Sequence, residues 1–171
     1  FSDQNLEESL ARVGNMMDNE SWANARELLE TLIDEGTYFP DPENRHRLQA
    51  HVCRELGDEE AEKASLLTIV SHQADQLPAV RRLLDLAQAD GNWAEVAQWS
   101  DAWLAIDPLG ATPWRARLEA HLALDEPTVA RAAGETLLRL DPPDRAAIHF
   151  QLASLLEPSE YSAARRHVLQ A

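Results

Sequence analysis

The chain has 171 residues, a formal net charge of −15 and a single cysteine. An acidic surface repels nucleic acid and anionic lipid, so both classes of partner are disfavoured. One cysteine excludes an internal disulfide framework, and no apolar run approaches the roughly 18 residues that a membrane-spanning helix needs. Alanine, leucine, glutamate and arginine are abundant, which favours helix over sheet.

Two helical hairpins are predicted in the first part of the chain. The first covers about residues 6–39, with apolar residues at helical spacing and Trp22 close to its turn. The second covers about residues 43–76, where Gly57 and the aspartate after it mark the turn between two helices. When the two hairpins are aligned on one common period, extra residues are left between them. These extra residues fall in a loop near YFPDPE.

The third predicted hairpin, at 77–110, has the clearest local signals. Gly91 punctuates the junction between two apolar helical faces. Asn92 is a good helix cap, and Glu95 three residues later makes a variant of the capping box. Pro108 forbids continuation of the second helix. The apolar face of that helix consists of Val96, Trp99, Trp103 and Leu104.

The same pattern recurs downstream with a shift of 34 residues. AIDP at 105–108 is echoed by RLDP at 139–142, which defines a fourth hairpin at 111–144. A fifth follows at 145–171 and stops before a full period is complete. We therefore expect a single array of about five hairpins that is a fragment of a longer chain.

A 34-residue helix–turn–helix period resembles the tetratricopeptide repeat. The best matching unit is 111–144, with Trp114, Ala130, Leu137 and Pro142 at the fourth, twentieth, twenty-seventh and thirty-second positions. The resemblance covers nearly the whole chain. It implies an all-α fold, a right-handed α-solenoid of antiparallel helix hairpins. Each hairpin has too little core to stand alone, and stacking buries the shared faces.

The repeat positions predict where the helices pack. Small residues such as Ala25, Ala130 and Ala164 are expected to let neighbouring helices approach closely. Large residues such as Trp103 and Leu137 are expected to fill the space between repeats.

The second unit departs from the family pattern, because Glu62 occupies the twentieth position, where a small residue is usual. A slip of one residue in this unit would put His46 in the place of Arg47 in the alignment.

No catalytic motif is present in the sequence. Phosphate-binding, dinucleotide-binding, zinc-protease and serine-hydrolase signatures are all missing, so no catalytic residue, cofactor or metal site is predicted. His46, His51 and Cys53 lie close together in the sequence, but a helix rotates their side chains apart. A core cysteine beside solvated histidines is therefore favoured over a metal site.

The resemblance implies that the first helix of each hairpin lines a concave groove that binds a partner. The fifth residue of this helix is basic in four successive units. With the ninth and twelfth residues, the candidate partner-binding set is Arg47, His51, Arg54, Arg81, Asp85, Gln88, Arg115, Glu119 and His149. Arginine presents a planar fork of donors that suits carboxylates, so a protein or peptide with acidic groups is the expected partner.

A second interpretation of these arginines stays open. Arg81 has Asp85 four residues later, and Arg115 has Glu119, so both arginines are placed for ordinary ion pairs on a helix surface. The ninth residues of the units include no asparagine, which disfavours the chaperone-tail clamp found in some members of the family.

The function expected from the resemblance is protein–protein interaction, as a scaffold or adaptor module that binds a partner segment in its groove. Two alternatives remain. The array is an accessory domain of an enzyme whose catalytic part lies outside this chain, or it associates with itself through exposed end helices. The compartment stays open, with the cytoplasm favoured over export.

Overall fold

The computed structural model describes residues 3–34, 39, 41–155 and 161–170, which form ten helices and contain no strand. The last residues of the predicted first hairpin, apart from Phe39, and Ala171 lie outside this part. No helix in the described residues is both long and apolar enough to cross a membrane. The helices are α1 (Asp3–Asp18), α2 (Trp22–Asp34), α3 (Pro42–Glu55), α4 (Glu59–His72), α5 (Leu77–Ala89), α6 (Trp93–Ile106), α7 (Ala111–Ala123), α8 (Pro127–Arg139), α9 (Arg145–Ser154) and α10 (Tyr161–Gln170).

The turns inside the first four hairpins share one backbone motif. One residue adopts a left-handed conformation at each turn, with φ of 57° at Glu20, 71° at Gly57, 65° at Gly91 and 56° at Asp125. Glycine reaches this region without steric cost, which explains two of the four residues. The next amide donates to a carbonyl five residues earlier, as in a Schellman motif. These bonds are Ser21 N to Met16 O, Asp58 N to Cys53 O, Asn92 N to Ala87 O, and Glu126 N to His121 O.

Side-chain caps begin the second helix of two hairpins. The side chain of Asn92 accepts a hydrogen bond from the amide of Glu95 at 3.3 Å, so the predicted cap of α6 is present. Asp58 does the same for α4, because its carboxylate accepts from the amide of Ala61 at 3.1 Å. Both caps satisfy amide groups that a helix leaves without a partner at its first turn.

The chain divides into two compact units, Phe1–Leu83 and Leu84–Ala171, and the boundary falls within α5. In the first unit, α1 packs on α2, α2 on α3, and α3 on α4. Its core contains two clusters of buried residues, which are Val13, Ala25, Leu29 and Val52, and Leu6, Leu32 and Phe39. Arg26 of α2 also pairs with Asp58 at the start of α4, with 2.8 Å between Nη1 and Oδ2.

In the second unit, α6 packs on α7, α7 on α8, α8 on α9, and α9 on α10. One buried cluster connects α7, α8 and α9, and its members are Leu118, Ala130, Ala133, Leu137, Ile148 and Leu152. Trp99 and Trp103 of α6 are also buried. The core of this unit therefore consists mainly of leucine and alanine side chains at repeat-related positions.

Burial follows the 34-residue period at the two positions that the sequence singles out. The twenty-seventh position is buried in Leu32, Ile69, Trp103 and Leu137. The twentieth position is buried in Ala25, Glu62, Val96 and Ala130. Glu62 is only 2% exposed, so it is as buried as its counterparts at the twentieth position of the other repeats. This burial agrees with the alignment without a slip, in which Arg47 is the counterpart of Arg81.

Candidate partner-binding site

A cavity of about 230 Å³ lies between α3, α4 and α5 of the first unit and opens to solvent. We call it the basic cavity, and its lining residues are Arg47, Ala50, His51, Arg54, Glu62, Leu66, Ile69, Gln76, Pro78, Ala79 and Arg82. Side chains of all three helices line the cavity. In the chain, α3 and α5 are the first helices of successive hairpins, and α4 lies between them. Three of the nine residues that the sequence predicts for partner binding are among these lining residues.

The charge of the basic cavity is opposite to that of the chain. The lining contains three arginines, Arg47, Arg54 and Arg82, and one carboxylate, that of Glu62, so positive charges exceed negative ones by two. The whole chain carries a formal net charge of −15. A positive cleft in an acidic protein concentrates anionic groups and repels cationic ones.

Arg82 and Glu62 form a bidentate pair at the wall of the basic cavity. Arg82 Nε donates to Glu62 Oε1 at 2.6 Å, and Nη2 donates to Oε2 at 2.8 Å. The side chain of Arg82 is 26% exposed, whereas that of Glu62 is 2% exposed. A carboxylate so deeply buried needs such a partner, because an unpaired charge in the interior is strongly unfavourable.

The floor of the basic cavity is apolar. Leu66 and Ile69 lie three residues apart on α4, so their side chains share one face of that helix. Ala50 of α3 and Ala79 of α5 complete the floor, and all four residues are buried. Small residues at these two positions leave the space that a larger side chain would fill.

The structure brings three of the predicted site residues together. Arg47, His51 and Arg54 lie four and three residues apart on α3, so they share one helix face and line the basic cavity. Arg47 is more than half exposed and approaches Asp41 at 3.4 Å. The His51 ring packs edge-on against Trp22, with 5.5 Å between ring centroids. His51 is thus held in position although it is exposed to solvent.

The predicted residues on α5 do not line this cavity. Arg81 is exposed, and the neighbouring Arg82 takes the place at the cavity wall. Asp85 and Gln88 are exposed on the second half of α5, which belongs to the second unit.

The predicted residues of α7 and α9 are less accessible. Both Nη groups of Arg115 donate to Asp144 at 2.6 Å, so Asp144, at the start of α9, is its partner rather than Glu119. Glu119 is half-buried. His149 is 6% exposed, so its side chain presents little surface to a partner. His149, which aligns with the exposed Arg47 and Arg81 in the sequence, therefore lies in the interior of the second unit.

The Arg115–Asp144 pair makes the stability of the second unit depend on pH. Hydrogen bonds from Arg115 hold the pKa of Asp144 below its ordinary value of 3.8. A carboxyl with a lowered pKa stabilises the folded state fully above its unfolded pKa, and this contribution disappears as the pH falls through the folded value.

We expect Asp144→Asn to lose less stability than the parent chain when the pH falls from about 5 to about 3. Urea unfolding followed by circular dichroism measures this difference. Asp90→Asn, an exposed aspartate in the same unit, is the control and should behave like the parent.

Cys53 lies away from the basic cavity. It lines a second cavity of about 240 Å³, between α2, α3 and α4, together with Leu29, Val52 and Ala61. Burial raises the pKa of the Cys53 thiol, which keeps it protonated and unreactive. His51 lines the basic cavity instead, so His51 and Cys53, which lie two residues apart in the sequence, border different cavities. Within the described ranges, no group of three or more side chains is placed to hold a metal ion.

Sequence reasoning missed Glu62 as a site residue, and it named Arg82 only as an addition, with Arg54, to the basic side of the groove. The signal for Glu62 was present, because a glutamate at a position that is otherwise small and buried requires a cation nearby. Arg82 is the residue that supplies it, from the next helix and 20 residues later.

No protein-family model matches the sequence, and no curated protein matches it either. Several solved structures resemble the fold. A tetratricopeptide repeat protein from Parabacteroides merdae aligns with 96% of this chain and 64% of its own, at 14% identity and a TM-score of 0.68. MamA from Desulfovibrio magneticus RS-1 aligns with 96% of this chain and 91% of its own, at 14% identity and a TM-score of 0.60.

A putative kinesin light chain from Podospora anserina, with nearly identical TPR-like repeats, also resembles this chain. The alignment covers 97% of this chain and 92% of the other, at 17% identity and a TM-score of 0.53. At these identities the likeness concerns the fold. The chain has an all-α, tetratricopeptide-like repeat fold, which confirms the resemblance recognised in the sequence.

Proposed function

We propose that this chain is a protein-interaction module that holds a segment of a partner protein in the basic cavity. The observation that carries the proposal is the excess of arginine charge above an apolar floor, in a chain with a net charge of −15. Burial of apolar atoms on Leu66, Ile69 and Ala79 supplies affinity. The arginines at the rim select the partner and fix its position.

The tetratricopeptide-like fold supports this proposal. The resemblance implies that the first helices of the hairpins contact the partner, and α3 and α5 supply all three arginines of the basic cavity. Arg81 belongs to the same proposed surface, because it is exposed on α5 within the first unit. Asp85, Gln88, Arg115, Glu119 and His149 remain a separate prediction for the second unit.

A photoreactive amino acid in place of Gln76, which lines the basic cavity, tests the proposal. We expect irradiation of the producing cells to link this position to one partner protein. The same experiment with Arg54→Glu should lose the partner, because the substitution reverses a charge at the rim. Arg139→Glu is the matched control, since Arg139 is an exposed arginine on α8 and the change in net charge is the same.

The outcomes separate the possible roles. A partner that is lost with Arg54→Glu and kept with Arg139→Glu supports the proposed function. Equal labelling in both variants shows that the contact at position 76 does not depend on the charge of Arg54, and the proposal then fails. A linked second copy of this chain supports self-association, and a link to another part of a longer parent chain supports an accessory domain.

A further inference from the structure

We infer that the partner segment presents an aspartate or glutamate side chain next to an aliphatic one, with the aliphatic group deeper in the basic cavity than the carboxylate. This inference rests on the proposed function, because it specifies the chemistry of the occupant of the same cavity. Charge complementarity and the solvent exposure of the lining residues carry it.

The cations at the rim differ in how strongly they are already engaged. Glu62 holds Arg82 through two hydrogen bonds of 2.6 and 2.8 Å. Among the side chains that the structure describes, Arg47 has one ion pair, a long contact with Asp41 at 3.4 Å between two exposed side chains. In the part of the chain that the structure describes, no ion pair involves Arg54. A carboxylate from a partner therefore binds Arg54 and Arg47, and it leaves the Arg82–Glu62 pair intact.

The position of Glu62 decides which end of the segment goes deeper. Arg47 and Arg54 are exposed and mark the mouth of the basic cavity, whereas Glu62 is almost completely buried. A second acidic group further inside would meet the carboxylate of Glu62 and be repelled. The buried Leu66 and Ile69 side chains at the floor instead favour an aliphatic group. The cavity therefore selects one acid at the mouth and one aliphatic side chain below it.

The volume of the cavity limits the occupant to a short stretch. About 230 Å³ is several times the roughly 30 Å³ that a water molecule occupies in the liquid. This space is enough for a branched aliphatic side chain and part of its neighbour. A whole helix does not fit inside the cavity, so the rest of the partner segment lies along the surface of α3 and α5.

Nuclear magnetic resonance on the full 171-residue chain tests the inference with defined peptides. The probes are short peptides with a glycine–serine background, an acetylated start and an amidated end, and one central pair that is Leu-Glu, Leu-Gln, Ala-Glu or Glu-Glu. The signals to follow are the Ile69 methyl group and the Arg54 side-chain N–H. We expect the Leu-Glu peptide to shift both signals and to bind about tenfold or more tightly than the other three.

Two variants complete the test. Arg54→Glu should abolish binding of the Leu-Glu peptide, and Arg139→Glu should leave it unchanged. Equal affinity for Leu-Glu and Leu-Gln would overturn the inference, as would a clear preference for an unblocked terminal carboxylate over the glutamate side chain. Shifts confined to residues outside the basic cavity would overturn it as well.

Failure of the inference and failure of the proposed function give different results. If the crosslink at position 76 depends on Arg54 but the linked segment has no acid beside an aliphatic residue, only the inference fails. If no Arg54-dependent partner is found in cells, the proposed function fails, whatever the peptides do.

Discussion

Arg82→Ala is expected to destabilise the folded chain by about 3–5 kcal/mol, because it leaves a buried carboxylate without its partner. Glu62 is 2% exposed and accepts two hydrogen bonds from Arg82, at 2.6 and 2.8 Å. The protein interior solvates a lone carboxylate far less well than water does. Urea unfolding followed by circular dichroism measures the change.

The asymmetry of the pair supplies the controls for this prediction. Glu62→Ala should cost less than Arg82→Ala, because the side chain of Arg82 is 26% exposed and reaches water without its partner. The double variant Glu62→Leu/Arg82→Met should recover most of the loss, since it removes both charges and keeps similar volumes. If Arg82→Ala unfolds at the same urea concentration as the parent chain, the pair has no structural role.

Trp103→Ala is expected to destabilise the folded chain by about 3–5 kcal/mol as well, through the loss of a large buried side chain. Trp103 is 8% exposed on α6, and its repeat counterpart Leu137 is completely buried in the core of the second unit. The substitution removes apolar contacts and leaves a cavity that the surrounding helices cannot fill completely. Urea unfolding followed by circular dichroism at helical wavelengths is suitable, because it does not rely on tryptophan fluorescence.

Two further tryptophan variants test whether burial is the cause. Trp93→Ala should cost much less, because Trp93 is 36% exposed at the first residue of α6. Trp103→Phe should lie between the parent chain and Trp103→Ala, since phenylalanine keeps most of the apolar volume. Equal effects of Trp93→Ala and Trp103→Ala would contradict the packing argument.

The candidate site was predictable where it depends on one helix. Arg47, His51 and Arg54 are spaced so that any α-helix places them on one face, and the structure brings them to one cavity. The prediction was less complete where a neighbouring helix matters. Arg82, and not Arg81, lines the cavity, where its guanidinium donates hydrogen bonds to Glu62 on α4.

The prediction that arginines pair with acidic residues on the surface of their own helix is limited in the same way, because it leaves out partners on another helix. The sequence pairs Arg115 with Glu119, four residues later on the same helix, and local spacing favours that pair. In the structure both Nη groups of Arg115 bond to Asp144, 29 residues away. A bidentate bond to a carboxylate at the start of another helix is stronger than a contact along one helix, and only packing shows that it is within reach.

The sequence by itself determined the hairpins, several of their turns and the burial of the periodic core positions. Gly57 and Gly91 mark turns that need a left-handed residue, Asn92 caps α6, and the 34-residue period predicts the burial of Trp103 and Leu137. These features are local or periodic, since each depends on a few neighbouring residues or on a spacing that repeats along the chain.

Only the tertiary structure decided which charged groups are engaged and which face a cavity. The Arg82–Glu62 pair, the Arg115–Asp144 pair and the burial of His149 each depend on side chains from another helix. The same helical spacing is compatible with an exposed or a buried residue at such positions. Distances between helices, and the large cost of burying an unpaired charge, select one arrangement among them.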